Sequence, residues 1–282
     1  MKKIILSIAM LASISLSAQQ INYKIIEDNP DKAYSNYLVI DFMGVDMDFD
    51  FQSASIYVGA SGRWNFTDKI AVEGLVRPTV FNMSGSGFGI QTETGVFYSL
   101  KTSSKNKDLP VVLKYDAFAG ETNSGARVEE TKYINVPGTL LSSIGARGGL
   151  YVKSSGYESA SGAVNIESSR FLGGVYVGMQ KTSQAYIKTM IDDKMERIGG
   201  AFTRVYADIL ILPARSISDS TLAATVEKDR AWGWRAGMQW YMDAHDGKYK
   251  RIGKSVISAE LGALPQTGFY INMSWGWAII SK

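Results

Sequence analysis

The sequence of 282 residues contains no cysteine and only one histidine, His245. The absence of cysteine excludes disulfide frameworks, thiolate metal sites and cysteine nucleophiles, and a single histidine excludes sites that need two imidazoles. Charge of neither sign dominates, because 30 Lys and Arg face 27 Asp and Glu, so we expect no nucleic-acid partner. What the chain does have is 11% aromatic residues and 28 glycines, which is typical of an all-β protein with many turns.

Residues 1–18 have the pattern of a secretory signal peptide. Two lysines precede an apolar stretch, small residues close it, and Gln19 and Gln20 follow, so we expect cleavage after Ser17 or Ala18. The apolar stretch is shorter than the ~20 residues that a helical span needs, and no later stretch of the chain is long enough. The mature chain is therefore either a soluble secreted protein or a membrane β-barrel.

Alternation with a period of two is the main structural signal. In segments 268–279 and 231–242, bulky apolar residues occupy every second position, and small or polar residues stand between them. Each run has at least the ~9–11 residues that a tilted strand needs to cross a bilayer, whereas strands of soluble proteins typically have ~5–6. The outward aromatics that we predict to form belts at the two membrane interfaces are Trp64, Phe66, Trp232, Trp234, Trp240, Trp275 and Trp277.

The same alternation predicts strands along the rest of the chain, at about 37–49, 54–66, 70–81, 87–100, 111–121, 143–153, 170–180, 200–212 and 255–264. A parity shift near Asp41 predicts a bulge in the first of them. A closed barrel with both ends of the chain on one side needs an even number of strands, so the weaker stretch 126–136 is taken as a twelfth strand, with ten as the next choice. We predict an all-β, closed antiparallel transmembrane β-barrel over 37–282, preceded by 19–36 as a periplasmic arm or lumen plug. The alternative is a soluble β-sandwich.

The short turn at 66–69 sets the predicted orientation, because bacterial barrels have short periplasmic turns and longer external loops. It places segments 154–169 and 214–230 outside the cell as loops rich in Ser and Ala. Segments 101–109 and 243–253 become periplasmic turns. The two external loops are the surfaces on which we expect a partner.

The signal peptide ending in Ala18, Gln19 and Gln20, the hairpin 59–69 and the closing aromatic strand resemble those of the small outer-membrane β-barrel proteins of Gram-negative bacteria, of the Bacteroidota type. The resemblance is one of pattern and covers the whole mature chain. It implies a location in the cell outer membrane. Members of that superfamily usually finish on a terminal aromatic residue, whereas the last aromatic here is Trp277.

The alternation also predicts which charged side chains point into the barrel. They are Arg63, Glu73, Arg77, Glu93, Lys114, Asp116, Arg147, Arg204, Asp208, Arg235 and Glu260. Because an unpaired buried charge costs several kcal/mol, charges of both signs in a narrow lumen are expected to pair and to fill it. An ion-selective pore would have an excess of one sign. Asp46, Asp48 and Asp50 form a separate acidic row, which we interpret as a solvated rim, with calcium ligation as the alternative.

No catalytic set is recognisable. His245 falls in a predicted turn, and the sequence contains no Gly-x-Ser-x-Gly nucleophile elbow. We therefore expect no enzyme, no cofactor and no metal. The expected function is that of a structural or accessory subunit of an outer-membrane assembly, in contact with outer-membrane lipid and meeting other envelope proteins through segments 154–169 and 214–230. The alternative is a passive, porin-like channel for small solutes.

Overall fold

The computed structural model describes residues 21–32, 36–49, 53–83, 88–121, 127–161, 164–218, 231–242, 254–265 and 268–281. The predicted signal peptide, Asp50, His245 and the predicted turn 243–253 lie outside these ranges. Among the described residues, no helix has both the length and the apolar character needed to cross a membrane.

The described residues form eleven strands and one short 3-10 turn, at Pro30–Lys32. The strands are β1 (Tyr23–Asp28), β2 (Tyr37–Asp48), β3 (Ser53–Asn65), β4 (Ile70–Asn82), β5 (Ile90–Glu121), β6 (Arg127–Ser161), β7 (Val164–Ile191), β8 (Met195–Ile217), β9 (Trp232–Met242), β10 (Lys254–Leu264) and β11 (Gly268–Ser281).

Ten of these strands, β2 to β11, close into an antiparallel barrel. Each pairs with the next along the chain, and β11 pairs back with β2, where Tyr270 lies opposite Asp48. The predicted fold class is confirmed, with ten strands instead of twelve. The strands predicted at 87–100 and 111–121 are both parts of β5, and those predicted at 126–136 and 143–153 are both parts of β6.

Residues 101–109, predicted as a turn, are the middle of β5. They pair with residues 136–144 of β6, and most of their side chains are exposed. A strand with water on both faces has no alternation of apolar and polar residues, so its sequence looks like a loop. The predicted external loop 154–169 is wrong in the same way, because residues 154–161 and 164–169 are paired strands of β6 and β7. Of the other predicted loop, 214–217 belong to β8, and 219–230 lie outside the described residues.

The predicted bulge near Asp41 is confirmed. The register between β2 and β3 shifts between Asp41 and Gly44, and Phe42 and Met43 are consecutive exposed residues there. Beyond the shift, a Cβ on Gly44 would lie 2.0 Å from Cζ of Tyr57. Only glycine therefore lets the Tyr57 ring cross this strand.

We call the end of the barrel that carries the 66–69 turn the lower end, and the opposite end the upper end. Several strands continue past the lower end, since Ser99 donates its backbone N–H to the Lys69 carbonyl and β5 runs on from there to Glu121. The lower extension, as we name it, comprises β1 and residues 101–121, 127–140, 185–191 and 195–200.

The segment 19–36, predicted as a periplasmic arm or lumen plug, contains the strand Tyr23–Asp28. It pairs with residues 187–191 of β7, beside the edge that β6 leaves free, and so lies in the lower extension and not inside the lumen. The Asp28 carboxylate accepts hydrogen bonds from the backbone N–H and the hydroxyl of Thr139, at 3.0 and 2.7 Å. β1 is thereby connected to β6 as well as to β7.

The lower extension has its own apolar core. Leu109 and Val111 of β5, Val136 of β6, and Ala185 and Ile187 of β7 are buried in one cluster. Higher up in the barrel wall, the same face of β5, β6 and β7 points outward, as the register between these three strands shows. The sheet therefore folds its outer face inward below the barrel.

Candidate functional site

The lumen of the barrel contains charged side chains of both signs, and they form ion pairs with one another. The basic members are Arg63, Arg77, Arg147, Lys153, Arg170, Arg204 and Arg235. The acidic members are Asp41, Asp46, Asp48, Glu73, Glu93, Asp208 and Glu260. Seven positive charges thus face seven negative ones, so this set carries no net charge.

Arg235 is the centre of the network, with a side chain that has no exposed surface. Its guanidinium holds both carboxylate oxygens of Glu93, and its Nε donates to Asp208 at 2.8 Å. Glu260 lies 3.4 Å from the same guanidinium and accepts a hydrogen bond of 2.7 Å from the Tyr270 hydroxyl. Paired, forked contacts of this kind fix the orientation of both partners.

Glu73 forms a second centre closer to the lower end. Its carboxylate accepts hydrogen bonds from Arg204, from Arg63 at 3.3 Å and from the Gln180 amide at 2.9 Å. The Arg204 Nε in turn donates to the Gln180 carbonyl oxygen at 2.8 Å. Each buried polar group of this cluster therefore has a partner that compensates part of its lost hydration.

Arg147 connects the two centres. Its guanidinium lies 3.6 Å from Asp208 and 4.0 Å from Glu73. It also stands over the rings of Tyr206 and Tyr176, at 4.3 and 4.9 Å from their centroids. Such cation–π contacts are worth about 0.5–2 kcal/mol each, so tyrosine rings supply part of the stabilisation that water would otherwise give to the cation.

A third group of ion pairs lies towards the upper end. Lys153 binds Asp46 at 2.6 Å and Arg170 binds Asp48 at 2.8 Å. The prediction of a solvated acidic rim is wrong for these two aspartates, because each faces a cation in the lumen. Calcium ligation by the row is not supported either, since the same carboxylates are neutralised by side chains.

The ion pairs cross the lumen from wall to wall. Arg170 on β7 and Asp48 on β2 stand five strands apart in the ring of ten, on opposite sides of the barrel. The partners of the pairs Arg235–Glu93 and Arg204–Glu73 stand four strands apart. Crossing contacts at several heights leave the interior filled by side chains, as in small barrels, unlike the aqueous channel of barrels with about 16–18 strands.

Apolar and aromatic side chains pack below and above the two centres at Glu73 and Arg235. Near the lower end, the rings of Tyr37, Phe202 and Tyr241 pack edge to face at centroid distances of 4.8–5.8 Å. Near the upper end, a second buried cluster consists of Tyr151, Leu172, Tyr176, Leu210, Leu212, Leu264 and Tyr270. These two centres therefore lie between two layers with little exposure to water, whereas Lys153 and Arg170 stand one inward position above Tyr151 and Leu172 on their strands.

The cavities described in the lumen are small. One of about 30 Å³ lies among Ser61, Glu73, Arg77 and Arg147, and two of about 20 Å³ lie near Asp46. Each has room for about one water molecule. A larger groove of about 620 Å³ is lined mainly by outward residues of β3 and β4, among them Ala60, Gly62, Trp64 and Val72.

The structure brings together nine of the eleven predicted lumen residues. These are Arg63, Glu73, Arg77, Glu93, Arg147, Arg204, Asp208, Arg235 and Glu260. The other two, Lys114 and Asp116, belong to β5 in the lower extension, where Lys114 is exposed and the side chain of Asp116 lies outside the described residues. They were misplaced because the segment 111–121 was taken as a strand of the barrel.

Sequence reasoning missed Asp41, Asp46, Asp48, Lys153 and Arg170. Continuing the alternation of β6 by one step beyond Tyr151 identifies Lys153 as inward, and the alternation of β7 identifies Arg170. Both are end residues of predicted strands, 143–153 and 170–180, but the sequence prediction did not count them among the inward charges. The tyrosines that surround the cations had no comparable signal, because an aromatic residue is equally suited to the outer face.

The predicted belt residues all lie on the outer face. Trp232 and Trp234 stand near the upper end, and Trp64, Phe66 and Trp240 nearer the lower end. Trp275 and Trp277 also lie towards the lower end, and their rings are 6.1 Å apart. Phe49 and Phe269 add to the aromatic residues of the upper end, with ring centroids 5.5 Å apart.

Within the described part of the chain, no group of three or more His, Cys, Asp or Glu side chains is placed to hold a metal ion. No protein family and no curated sequence matches the chain. Among solved structures, the low-pH structure of OprB from Pseudomonas putida is similar over 88% of this chain and 93% of that chain, at 8% identity and a TM-score of 0.20. A likeness of this size carries no argument, so the fold assignment rests on the strand pairing.

Proposed function

We propose that the protein is an integral outer-membrane β-barrel with a closed lumen, and that it acts as a structural or accessory component of the cell envelope. The observation that carries the proposal is the set of ion pairs that span the lumen between opposite walls. A barrel filled in this way is a stable body in a membrane and does not conduct.

The outer surface supports the membrane location. Its exposed large side chains are apolar along the barrel strands, with aromatic residues towards both ends. The strands β2, β3, β4, β9, β10 and β11 have 11–14 residues. A tilted strand needs about 9–11 residues to cross the hydrocarbon core, so these strands are long enough. A soluble sandwich would leave this apolar surface in water.

The lower extension supports the accessory role. It projects a folded unit with its own core from one end of the barrel, and on the predicted orientation this end faces the periplasm. The upper hairpin of β6 and β7, within 154–169, is a second surface for an envelope partner. The barrel thus holds two projecting units at fixed positions relative to the membrane.

The lumen also favours a structural or accessory role over that of a channel or an enzyme. Its seven positive and seven negative charges are paired, whereas a selective pore presents an excess of one sign. The buried carboxylates are engaged with arginine and lysine, away from the outer surface. We therefore assign the network a structural role.

Conductance measurement in planar bilayers tests the proposal. The full mature chain, shown to be folded by a heat-modifiable gel shift, is expected to give no stepwise current. The double variant E93A/R235A removes the crossing pair at the centre of the network and is expected to admit ion leakage. The double variant K188A/E196A removes an exposed ion pair of 2.7 Å outside the barrel and is the matched control, which stays silent.

Two results overturn the proposal. Reproducible current steps from the folded wild-type protein establish the channel alternative, particularly if the steps change in E93A/R235A. Recovery of the protein in the aqueous fraction without detergent, with no gel shift on heating, establishes the soluble sandwich.

A further inference from the structure

Four exposed lysines lie on the outer face of the sheet where the barrel passes into the lower extension. They are Lys101, Lys105 and Lys107 of β5 and Lys181 of β7. We call this set the lysine face. Lys101 and Lys181 occupy the same cross-strand row, on either side of Ile144 of β6.

The row directly below is polar, and the two rows after it carry the other two lysines. Ser103, Ser142 and Ser183 form the next row, and the hydroxyls of the last two lie 3.1 Å apart. Lys105 then shares a row with Leu140 and Ala185. Lys107 lies opposite Gly138 in the row after that. Cross-strand neighbours in a row stand on the same side of a sheet, so the lysines and the serine hydroxyls face the same space.

The lysine face has no acidic partner in these rows. None of its four lysines forms an ion pair with another residue among those that the structure describes. The Asp28 carboxylate, at the margin of the same sheet, is occupied by two hydrogen bonds from Thr139. This contrasts with the lumen, where each of the seven cations of the network is matched by a carboxylate.

The position of the lysine face relative to the apolar surface indicates its ligand. The top row of the lysine face also contains the exposed apolar residues Ile144 and Val205, and in the outward row directly above it Tyr98 and Met179 are exposed. The core around Ile187 begins at Ala185, in the row of Lys105, and continues below it. The positive charge therefore lies at the border between the apolar wall and the folded extension, which is the height of lipid headgroups at the lower end of a membrane-spanning barrel.

We propose that the lysine face binds the phosphate headgroups of anionic phospholipids in the leaflet next to the lower end. This inference rests on the proposed membrane location. Lysine ammonium groups bind phosphate as point charges, and hydroxyls add hydrogen bonds to its oxygens. Each lysine near an anionic lipid surface strengthens binding about fivefold. Lipids bound here would hold the lower extension against the membrane.

Lipid retention measured by native mass spectrometry tests this inference. The full mature chain is reconstituted in nanodiscs of phosphatidylcholine with one-tenth phosphatidylglycerol, released in mild detergent, and its bound lipids are counted. The wild-type protein is expected to retain phosphatidylglycerol well above its share. In the variant K101Q/K105Q/K107Q/K181Q, the amount of phosphatidylglycerol retained is expected to fall at least about tenfold.

The variant K24Q/K69Q/K132Q/K194Q is the matched control, because it removes four exposed lysines from the same end of the protein but outside the lysine face. It is expected to retain phosphatidylglycerol like the wild type. Equal retention by the two variants overturns the inference. Displacement of the lipid by millimolar inorganic phosphate also overturns it, because it identifies a site for free phosphate.

The failure of this inference is distinguishable from failure of the proposed function. A protein that inserts into nanodiscs and shows no preference for phosphatidylglycerol contradicts only the lysine face. A protein that does not enter the nanodiscs at all contradicts the membrane barrel. Retention of an acidic peptide in place of lipid, in a competition with both present, assigns the face to a protein partner and rejects the lipid.

Discussion

The barrel and the lower extension bury opposite faces of the same strands. In the barrel, the inward face of β6 and β7 carries Arg147, Lys153 and Arg170 and is buried, while the outward face is exposed and apolar. In the lower extension, Val136 and Ile187 on the outward face are buried instead. The register between β6 and β7 has no shift along its whole length, so the change is not caused by a change of parity.

The surroundings of each region explain the difference. In a membrane the outer face can remain apolar because lipid covers it, and the charges are confined to the interior, where they must pair. Below the membrane the same outer face would meet water, so it packs against itself. Alternation along a strand therefore identifies two faces but does not determine which of them is buried.

Removing Arg235 tests whether the barrel depends on its buried ion pairs, and it has the largest expected effect. In R235Q, three carboxylates lose their shared cation inside the lumen, because Glu93, Asp208 and Glu260 all contact Arg235. We expect the free energy of unfolding to fall by about 3–5 kcal/mol. Urea unfolding in detergent micelles, followed by tryptophan fluorescence, measures it.

The variant R63Q is the control for this experiment. Arg63 contacts Glu73, but Glu73 keeps Arg204 and Gln180 as partners. We expect a loss of about 1–2 kcal/mol. Equal losses in R63Q and R235Q would show that the network has no centre and would contradict the role given to Arg235.

Truncating Ile187 tests whether the lower extension depends on its own apolar core. I187A leaves a cavity in the core of the lower extension and is expected to destabilise that unit by about 2–4 kcal/mol while the barrel stays folded. Lys101, Lys105 and Lys107 are then cleaved faster by trypsin, and the heat-modifiable gel shift is unchanged. Y133A truncates a side chain that is 58% exposed and should leave the cleavage rate as it is. Loss of the gel shift in I187A would mean that the two regions are one cooperative unit.

Removing the Asp28 carboxylate has the smallest expected effect and asks to which region β1 belongs. D28A deletes both hydrogen bonds to Thr139, and we expect β1 to lose about 1 kcal/mol of local stability. Hydrogen exchange of residues 23–28 should accelerate severalfold, with no change in β2. D31A, which removes an exposed carboxylate three residues on, should leave the exchange of β1 unaltered. Faster exchange in β2 as well would assign β1 to the barrel.

Sequence alternation predicted the fold class and most of the lumen because the barrel strands have one polar and one apolar face. It overcounted the strands at β5 for a definite reason. The register of β5 against β6 shifts between Ser99 and Lys101, so the outward residues are even-numbered before the shift and odd-numbered after it. A bulge inside one long strand thus has the same signature as two separate strands.

The limits of the candidate site were also set by strand ends. Lys153 and Arg170 are the end residues of the predicted strands 143–153 and 170–180, beside a Ser-rich segment predicted as a loop, and they are missing from the predicted inward charges. Their partners Asp46 and Asp48 therefore have no predicted cation and are interpreted as a rim. The pairing itself joins residues far apart in the sequence. Alternation predicts that a side chain is inward but not which opposite strand it reaches, because that depends on the order and number of strands in the closed ring.

The seam between β2 and β11 has a consequence for how the protein forms. Every other junction of the barrel joins strands that are consecutive in the chain, but this one brings Asp48 to Tyr270. Bringing together two strands so far apart in the sequence is slow compared with forming a hairpin. Proteins with many such non-local pairings therefore fold slowly. The ion pair between Arg170 and Asp48 also needs β2 in place. Closure of the barrel is therefore a late step of folding. Until β11 has been synthesised and has paired with β2, the wall remains an open sheet with two unpaired edge strands.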